Sequence, residues 1–332
     1  MDVSIIIVNY KTPDLVVDCV KSIKEKTVGL TYEVIVVDNA SGDQSVPLMQ
    51  STLKDEIILI ESEINLGFGK ANNLGVKHAS GKYVFLLNSD TLLINNAIKT
   101  LFDYLESHEN VGVAGGNLYT LLERPSPSHC LSFDDIESVK AASRWSAIIG
   151  KIIGNRVLDK FLSAGQKERY YYKNTFNFSE KVKRVAYIFG TDMMLSRQLY
   201  ESAGGFDPDF FMYAEEEEMC WRITEKGYHI VNVPFAKIIH YDGASVKRDD
   251  SFSERQYKMR MTGTFMYYLK RFGKSGVEDC CKYKMLQLDR GLKIKKIFRR
   301  TNHIELVNKQ KAALQDVYAQ FLKDQKLEAG GR

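Results

Sequence analysis

Val3-Ser4-Ile5-Ile6-Ile7-Val8-Asn9-Tyr10 opens the chain with an apolar, branched run that ends abruptly on polar residues. A strand with one wet face alternates apolar and polar side chains. A short run that is apolar at successive positions reads instead as a strand covered on both faces. The same signature returns at 33–37 (Glu-Val-Ile-Val-Val), 57–60 (Ile-Ile-Leu-Ile) and 83–87 (Tyr-Val-Phe-Leu-Leu). Between these runs, Pro13 to Lys26 gathers Leu15, Val16, Cys19, Val20 and Ile23 on one helical face, and Ala71 to Ala79 follows a glycine-rich turn. Strands alternating with helices predict an α/β protein, a Rossmann-like and mostly parallel sheet flanked by helices.

Such sheets bind ligands in the crevice beyond the carboxyl ends of their strands. The residues there are Asn9-Tyr10-Lys11, Asp38-Asn39-Ala40-Ser41, Asn65 to Asn73 and Asn88-Ser89-Asp90, all polar or glycine-rich. Any one of them also reads as a loop with helix-capping side chains. Four together point to a binding edge.

Downstream the pattern weakens over about 120–183, a mixed polar and aromatic stretch with Pro125, Pro127 and Tyr170-Tyr171-Tyr172 that reads as a specificity insertion. Strand-like runs resume at Val185 to Phe189, Met193 to Leu195, Tyr228 to Val233 and Ala236 to Ile239. Helical spacing of Tyr257, Met261, Phe265, Tyr268, Leu269 and Phe272 predicts a helix over 254–272, with more helix to Gly330.

The composition, 44% hydrophobic and 27% charged over 332 residues, is that of a globular protein and excludes a fibrous or largely disordered chain. Five cysteines form no CxxC, so neither a disulfide framework nor a thiolate zinc site is expected, and a reducing cytoplasm fits. The amino terminus lacks the features of a secretory signal, and no apolar stretch approaches the roughly 20 residues that span hydrocarbon. Charge is uneven: residues 1–252 hold 27 Lys and Arg against 34 Asp and Glu, whereas 253–332 hold 19 against 8. The tail is a separate, basic object, which sign alone leaves open to nucleic acid, anionic lipid or an acidic partner.

Four features carry candidate chemistry. Asn65-Leu66-Gly67-Phe68-Gly69-Lys70-Ala71-Asn72 is neither a dinucleotide fingerprint nor a Walker A loop, yet its glycines allow close approach of backbone to a ligand. Asp90 places one carboxylate at a strand end, enough for a hard divalent ion that takes its other ligands from a diphosphate and water. Glu215-Glu216-Glu217-Glu218 lies between an aromatic run and Met-Cys-Trp-Arg, with Glu215 and Glu216 in the first turn of an expected helix. His240 ends a strand run at the same edge and is followed by Tyr241-Asp242-Gly243, a partner for Asp90 at a divalent metal. An ordinary tight turn, a cap, a solvated acidic face and a packing histidine are the alternatives for each in turn.

Taken in order, these residues resemble glycosyltransferase family 2, with the inverting GT-A fold, and particularly its bacterial rhamnosyltransferase-like branch. The resemblance covers roughly 2–118 and 185–245. It rests on Val3 to Tyr10, Val36-Val37-Asp38-Asn39-Ala40-Ser41, Asn65-Leu66-Gly67-Phe68-Gly69, Leu86-Leu87-Asn88-Ser89-Asp90-Thr91, Gly204-Gly205-Phe206-Asp207 and Phe210 to Arg222, ending in His240.

The resemblance implies a GT-A catalytic domain over 1–252 and a basic, mainly helical region over 253–332. It implies that Val8 and Tyr10 lie at the nucleobase, with Asp38 accepting its imino hydrogen bond, as suits uracil or thymine. Asn65, Gly67, Phe68, Gly69 and Asn72 would line the sugar-nucleotide pocket. Asn88 and Asp90 would occupy the first and last positions of the DxD motif, Asp90 holding Mg²⁺ or Mn²⁺ with His240. Glu216 would be the catalytic base with Glu215 beside it, and Asp192 would face the donor sugar or the acceptor. Two positions depart from the pattern: Asn88 removes a metal-facing carboxylate, and Glu replaces Asp at the base, which leaves Glu215 and Glu216 hard to tell apart.

The implied reaction moves a sugar from a dTDP- or UDP-linked donor, rhamnose from dTDP-rhamnose foremost, to a saccharide or lipid-linked acceptor of a surface polysaccharide. A sugar-nucleotide-binding subunit without turnover is the competing expectation. Nucleic-acid binding lacks the interleaved aromatics and glycines it needs. In the tail, Lys293-Ile294-Lys295-Lys296-Ile297-Phe298-Arg299-Arg300 mixes cations with apolar residues. That mixture suits a helix lying on anionic membrane through 290–332, a solvated helix, or a contact between copies of the chain.

Overall fold

The computed structural model describes residues 1–144, 163–241, 252–297 and 301–326. They form two compact units. One comprises Met1–Phe133, Glu168–Phe211 and Glu215–Arg248, the other Asp134–Lys167, Met212–Ala214 and Asp249–Arg332.

In the first unit the opening run is strand β1 (Val3–Asn9), followed by α1 (Pro13–Lys26), β2 (Tyr32–Asp38), α2 (Ser45–Leu53), β3 (Ile58–Glu61), α3 (Phe68–Val76) and β4 (Tyr83–Asn88). β1 lies between β2 and β4, parallel to both, with Ile6 opposite Ile35 on one side and Leu86 on the other. Alternate β1 side chains feed two cores. Ile5 and Ile7 pack with Val16, Val20 and Ile23 of α1, while Ile6 packs with Val76 of α3. This is why Ile5 to Val8 has no polar member. The α/β expectation holds, with one difference at β3, which is the edge strand and leaves Ile58 42% exposed.

The sheet continues through β5 (Thr91–Leu93), β6 (Val111–Tyr119), β11 (Asp192–Ser196) and β12 (His229–His240), in the order β3-β2-β1-β4-β11-β6-β12-β5. β11 is antiparallel to β4 and β6, and β12 runs parallel to β6. The small strands β7 (Pro125–Ser126) and β9 (Lys183–Val185) add to β6 and β12, and β8 (His129–Cys130) pairs with β10 (Tyr187–Ile188). α4 (Ala97–Glu106) covers the α1 face. The two runs expected at 228–233 and 236–239 form a single strand, whose register shifts between Asn232 and Lys237. Pro234 has no N–H to give to a ladder, which confines it to an irregularity of this kind. The run expected at 185–189 is divided between β9 and β10.

The second unit is helical. α5 (Ile136–Ser143) is capped by Asp135, which accepts from Ser138 N at 2.6 Å. Tyr267 and Tyr268 hydroxyls of α9 (Glu254–Ile297) donate to the carbonyls of Asp134 and Asp135. α9 breaks at Gly273, where φ is 67°. The break falls just past the expected helix of 254–272, and buried side chains resume at Val277 and Cys280. Phe265 meets Tyr318 and Phe321 of α10 (Thr301–Asp324) at ring separations of 5.7 and 5.6 Å. α6 (Ala164–Tyr172) straddles the division between the units, and two further helices, α7 (Arg197–Ser202) and α8 (Glu215–Glu225), belong to the first. Among the described residues no helix is long and apolar enough to cross a membrane.

Candidate active site

Parallel strands β1, β2 and β4 end together, so the polar residues after each meet at one edge. Asn9 Nδ2 donates to Asp38 Oδ1 at 2.7 Å and to Ser41 Oγ at 3.2 Å. Ser41 closes the arrangement, its hydroxyl on Asp38 Oδ1 at 2.6 Å and its backbone N–H on Oδ2 at 3.0 Å. Asp38 is 4% exposed. With a single bond, Oδ2 retains capacity to accept another. Tyr10, just beyond β1, is 43% exposed and offers a ring face, with Lys11 Nζ 5.5 Å from its centroid. Val8 is half-buried on β1.

The glycine loop is built by Asn39. Its Nδ2 donates to Gly67 O at 3.1 Å and Asn65 Oδ1 at 3.2 Å, while its Oδ1 accepts from Leu66 N at 2.8 Å. Gly67 takes φ 79°, and a Cβ there would overlap the Phe211 carbonyl, which accepts from Phe68 N at 2.9 Å. Gly69 allows Phe206 to approach, a Cβ lying 2.9 Å from its own. α3 therefore starts at Phe68, three residues before the expected start. Asn65 is exposed, Phe68 half-buried and Asn72 buried, with its amide on Phe68 O at 3.0 Å. Asn72 thus braces the loop from inside the helix.

The β4–β5 junction carries Asn88, half-buried, and Asp90, 6% exposed. Asn88 N donates to Thr191 O at 3.0 Å, which ties this junction to the start of β11. His240 pairs with Thr91 in the β12–β5 ladder, which sets its Nε2 3.4 Å from Asp90 Oδ1. Two donors at this spacing, one carboxylate and one imidazole, fit a divalent ion completed by phosphate oxygens and water. Among the described residues no group of three or more His, Cys, Asp or Glu converges on a common point. Asp242 lies outside the described residues.

α8 starts at Glu215, as the first-turn expectation requires, and its four glutamates separate by environment. Glu218 is buried and paired with Arg222 Nε at 2.6 Å. Arg222 also donates to Ala203 O and, at 2.7 Å, to Gly205 O, so this pair fixes the Gly204-Gly205 turn. Glu217 is buried. Glu215 is 2% exposed with Oε2 unpartnered, and burial, then the neighbouring Glu216 charge, raise its pKa well above the usual carboxylate range. Glu216 is half-buried and stands by Gly190, its Cβ 3.9 Å from where a Cβ on that glycine would be. Asp192 is fully buried on β11, Oδ2 accepting from Gly116 N at 2.6 Å and Oδ1 unpartnered. Burial likewise raises its pKa well above the ordinary value, against the Gly116 hydrogen bond, which lowers it.

Residues 4–202, well over half of the chain, match the sequence profile of glycosyl transferase family 2. The chain belongs to that family. Two relatives illustrate its range. The low-salt glycan biosynthesis hexosyltransferase Agl10 of Haloferax volcanii is 25% identical over 75% of this chain and 70% of its own. Rhamnosyltransferase WbbL of Escherichia coli is 24% identical over 62% and 71%. Among solved structures, GalNAc-T7 with UDP, GalNAc and Mn²⁺ superposes with a TM-score of 0.59 at 13% identity, covering 97% of this chain and 56% of that one. The mannosyltransferase PcManGT of Pyrobaculum calidifontis, with GDP-Man and Mn²⁺, gives 0.57 at 16%, covering 97% and 87%. These structures share the fold of this family 2 chain, which spans just over half of the GalNAc-T7 chain.

Asn9, Asn39 and Ser41 were read only as members of the strand-end junctions, and Glu218 and Arg222 only as part of the acidic run and its flank, although each holds a site residue or loop in place. The signal for the first three was position at or just after a strand end, shared with any capping residue, and for the Glu218–Arg222 pair it was i,i+4 spacing on a helix.

Proposed function

We propose that this family 2 chain transfers a sugar, with inversion, from a nucleotide-diphosphate donor to a saccharide or lipid-linked acceptor. The observation that carries the reading is the meeting at one sheet edge of Asp38, the Asn39-held glycine loop and the Asp90–His240 pair, with Glu216 beside Gly190. Tyr10 and Asp38 suit a pyrimidine base, so the donor is dTDP- or UDP-linked, and likeness to a rhamnosyltransferase favours dTDP-rhamnose. Asp90 and His240 would hold Mg²⁺ or Mn²⁺, which when bound supplies charge neutralisation for the departing diphosphate.

The chain's own residues divide the remaining work. Glu216 takes the proton of the acceptor hydroxyl as it attacks the anomeric carbon in line. Glu215, 2% exposed, has little access to an acceptor hydroxyl, whereas Glu216 is half-buried, which favours Glu216 as that base. Asp192 holds Gly116, and the adjoining Thr191–Asn88 bond positions the β4–β5 junction. The test is release of nucleoside diphosphate from dTDP- and UDP-sugars with Mn²⁺ and membrane-derived acceptor. Turnover lost in Glu216→Gln and kept in Glu215→Gln supports the assignment. Full turnover in Glu216→Gln contradicts it.

A further inference from the structure

The hairpin leaving β6 ends in an apolar tip. Its turn is closed internally, Thr120 N on Arg124 O and Glu123 N on Thr120 O, both at 2.8 Å, with Arg124 N on Thr120 Oγ1 at 3.2 Å. Tight turns are ordinarily filled by Gly, Asn, Asp, Pro or Ser. Here Leu121 and Leu122 occupy the tip, 57% and 77% exposed, and Leu122 is the most exposed large apolar side chain among the described residues. Isolated exposed leucines need no explanation, but two adjacent ones on a hydrogen-bonded turn form a presented surface.

The surroundings say what that surface meets. Tyr119 packs edge-on against Phe176 at 5.4 Å, and Arg124 Nε lies 4.0 Å from Glu168 Oε1, which joins the hairpin to residues 168–178. There Tyr170 and Tyr171 are 42% and 46% exposed, and Lys173 Nζ stands 4.8 Å from the Tyr170 ring. Apolar tips, amphipathic tyrosines and flanking cations, with Arg124 69% exposed, match the depth profile of a bilayer surface with anionic headgroups. β6 points the same way as β4, being two antiparallel steps from it through β11, so the tip projects from the carboxyl edge that carries Asp90.

We propose that Leu121 and Leu122, with Tyr170 and Tyr171 beside them, dock the catalytic unit on an anionic lipid bilayer with its carboxyl edge toward the membrane. Docking itself is independent of the transferase reading, which supplies only its use, access to a lipid-linked acceptor. Its residues lie outside the basic tail of 253–332.

The test is co-sedimentation of the full chain with vesicles of phosphatidylcholine alone and of phosphatidylcholine mixed with phosphatidylglycerol. The wild type binds the mixed vesicles more tightly, and the Leu121→Asp/Leu122→Asp variant loses about tenfold or more of that binding. Its thermal unfolding, and any shift caused by UDP with Mn²⁺, stay as in wild type. Wild type that binds neither vesicle overturns the proposal. So does a double variant that binds as wild type, or a lipid-free wild-type dimer that the same substitutions make monomeric. If UDP shifts nothing while vesicle binding depends on the leucines, the transferase reading fails and the docking surface stands.

Discussion

His240 Nε2 lies 3.4 Å from Asp90 Oδ1, a juxtaposition fixed by the ladder bond partners His240 and Thr91 rather than by either side chain. The two residues come from the last residue of β12 and the turn before β5, so sheet register alone delivers them. If they share a divalent ion, His240→Ala weakens it without abolishing it. The Mn²⁺ concentration that half-stabilises the nucleotide complex should rise by at least ~10-fold, the loss that even outer-shell partners cause. Titration of thermal stability with Mn²⁺ at saturating UDP or dTDP checks this, and an unchanged midpoint removes His240 from the metal.

Glu216→Gln should lower kcat by about 10²–10⁴-fold, the usual worth of a positioned base. KM for the donor should change little, because the base meets the acceptor. Glu215→Gln keeps the shape of a side chain that is only 2% exposed and should retain most of the rate. Steady-state kinetics on the two single variants decide between the neighbours.

The buried carboxyls also predict a pH dependence of stability. Glu215 and Asp192 have pKa values raised in the folded state, chiefly by burial. Their contribution is complete below the ordinary carboxylate range and is lost as pH rises through the raised values, because the unfolded chain ionises first. As pH rises above the ordinary carboxylate range the wild type should lose stability relative to Glu215→Gln/Asp192→Asn. Thermal unfolding of both proteins as a function of pH measures the difference, and parallel curves contradict it.

Gly67 and Gly42 both have positive φ, 79° and 65°, but only Gly67 is also pressed against another backbone, at the Phe211 carbonyl. Gly42→Ala meets nothing within 4 Å and bears only the left-handed conformation, about 1–2 kcal/mol. Gly67→Ala adds overlap and disturbs the Phe68–Phe211 bond, so it should cost about 1–3 kcal/mol more. Denaturant unfolding of the pair separates steric from conformational cost. Equal losses would mean the loop yields freely.

Much of this was legible in the sequence, for identifiable reasons. Ile5 to Val8, Val34 to Val37 and Val84 to Leu87 are apolar at successive positions because two cores claim alternate residues, and that pattern cannot be mistaken for a wet sheet. The four polar junctions follow from parallel strands ending together. β11 was legible as a strand, but its reversed direction was not, since period-two patterning carries no sense of direction. Nor does sequence show that Glu215 sinks to 2% exposure while Glu216 remains half-buried. That difference arises because Gly69 and Phe206 pack at the start of α8, a tertiary event with no local signature. Arg299 and Arg300 of the basic tail lie outside the described residues.

The most direct measurement is thermal stabilisation of the full chain by dTDP, UDP and GDP, each with and without Mn²⁺, in wild type and Asp90→Ala. At 100-fold excess over Kd, a ligand specific to the folded state adds about 2.7 kcal/mol. The account predicts a Mn²⁺-dependent shift with dTDP or UDP, smaller with GDP, that Asp90→Ala abolishes. No shift with any nucleotide, or a full shift retained in Asp90→Ala, contradicts the metal-assisted sugar-nucleotide site.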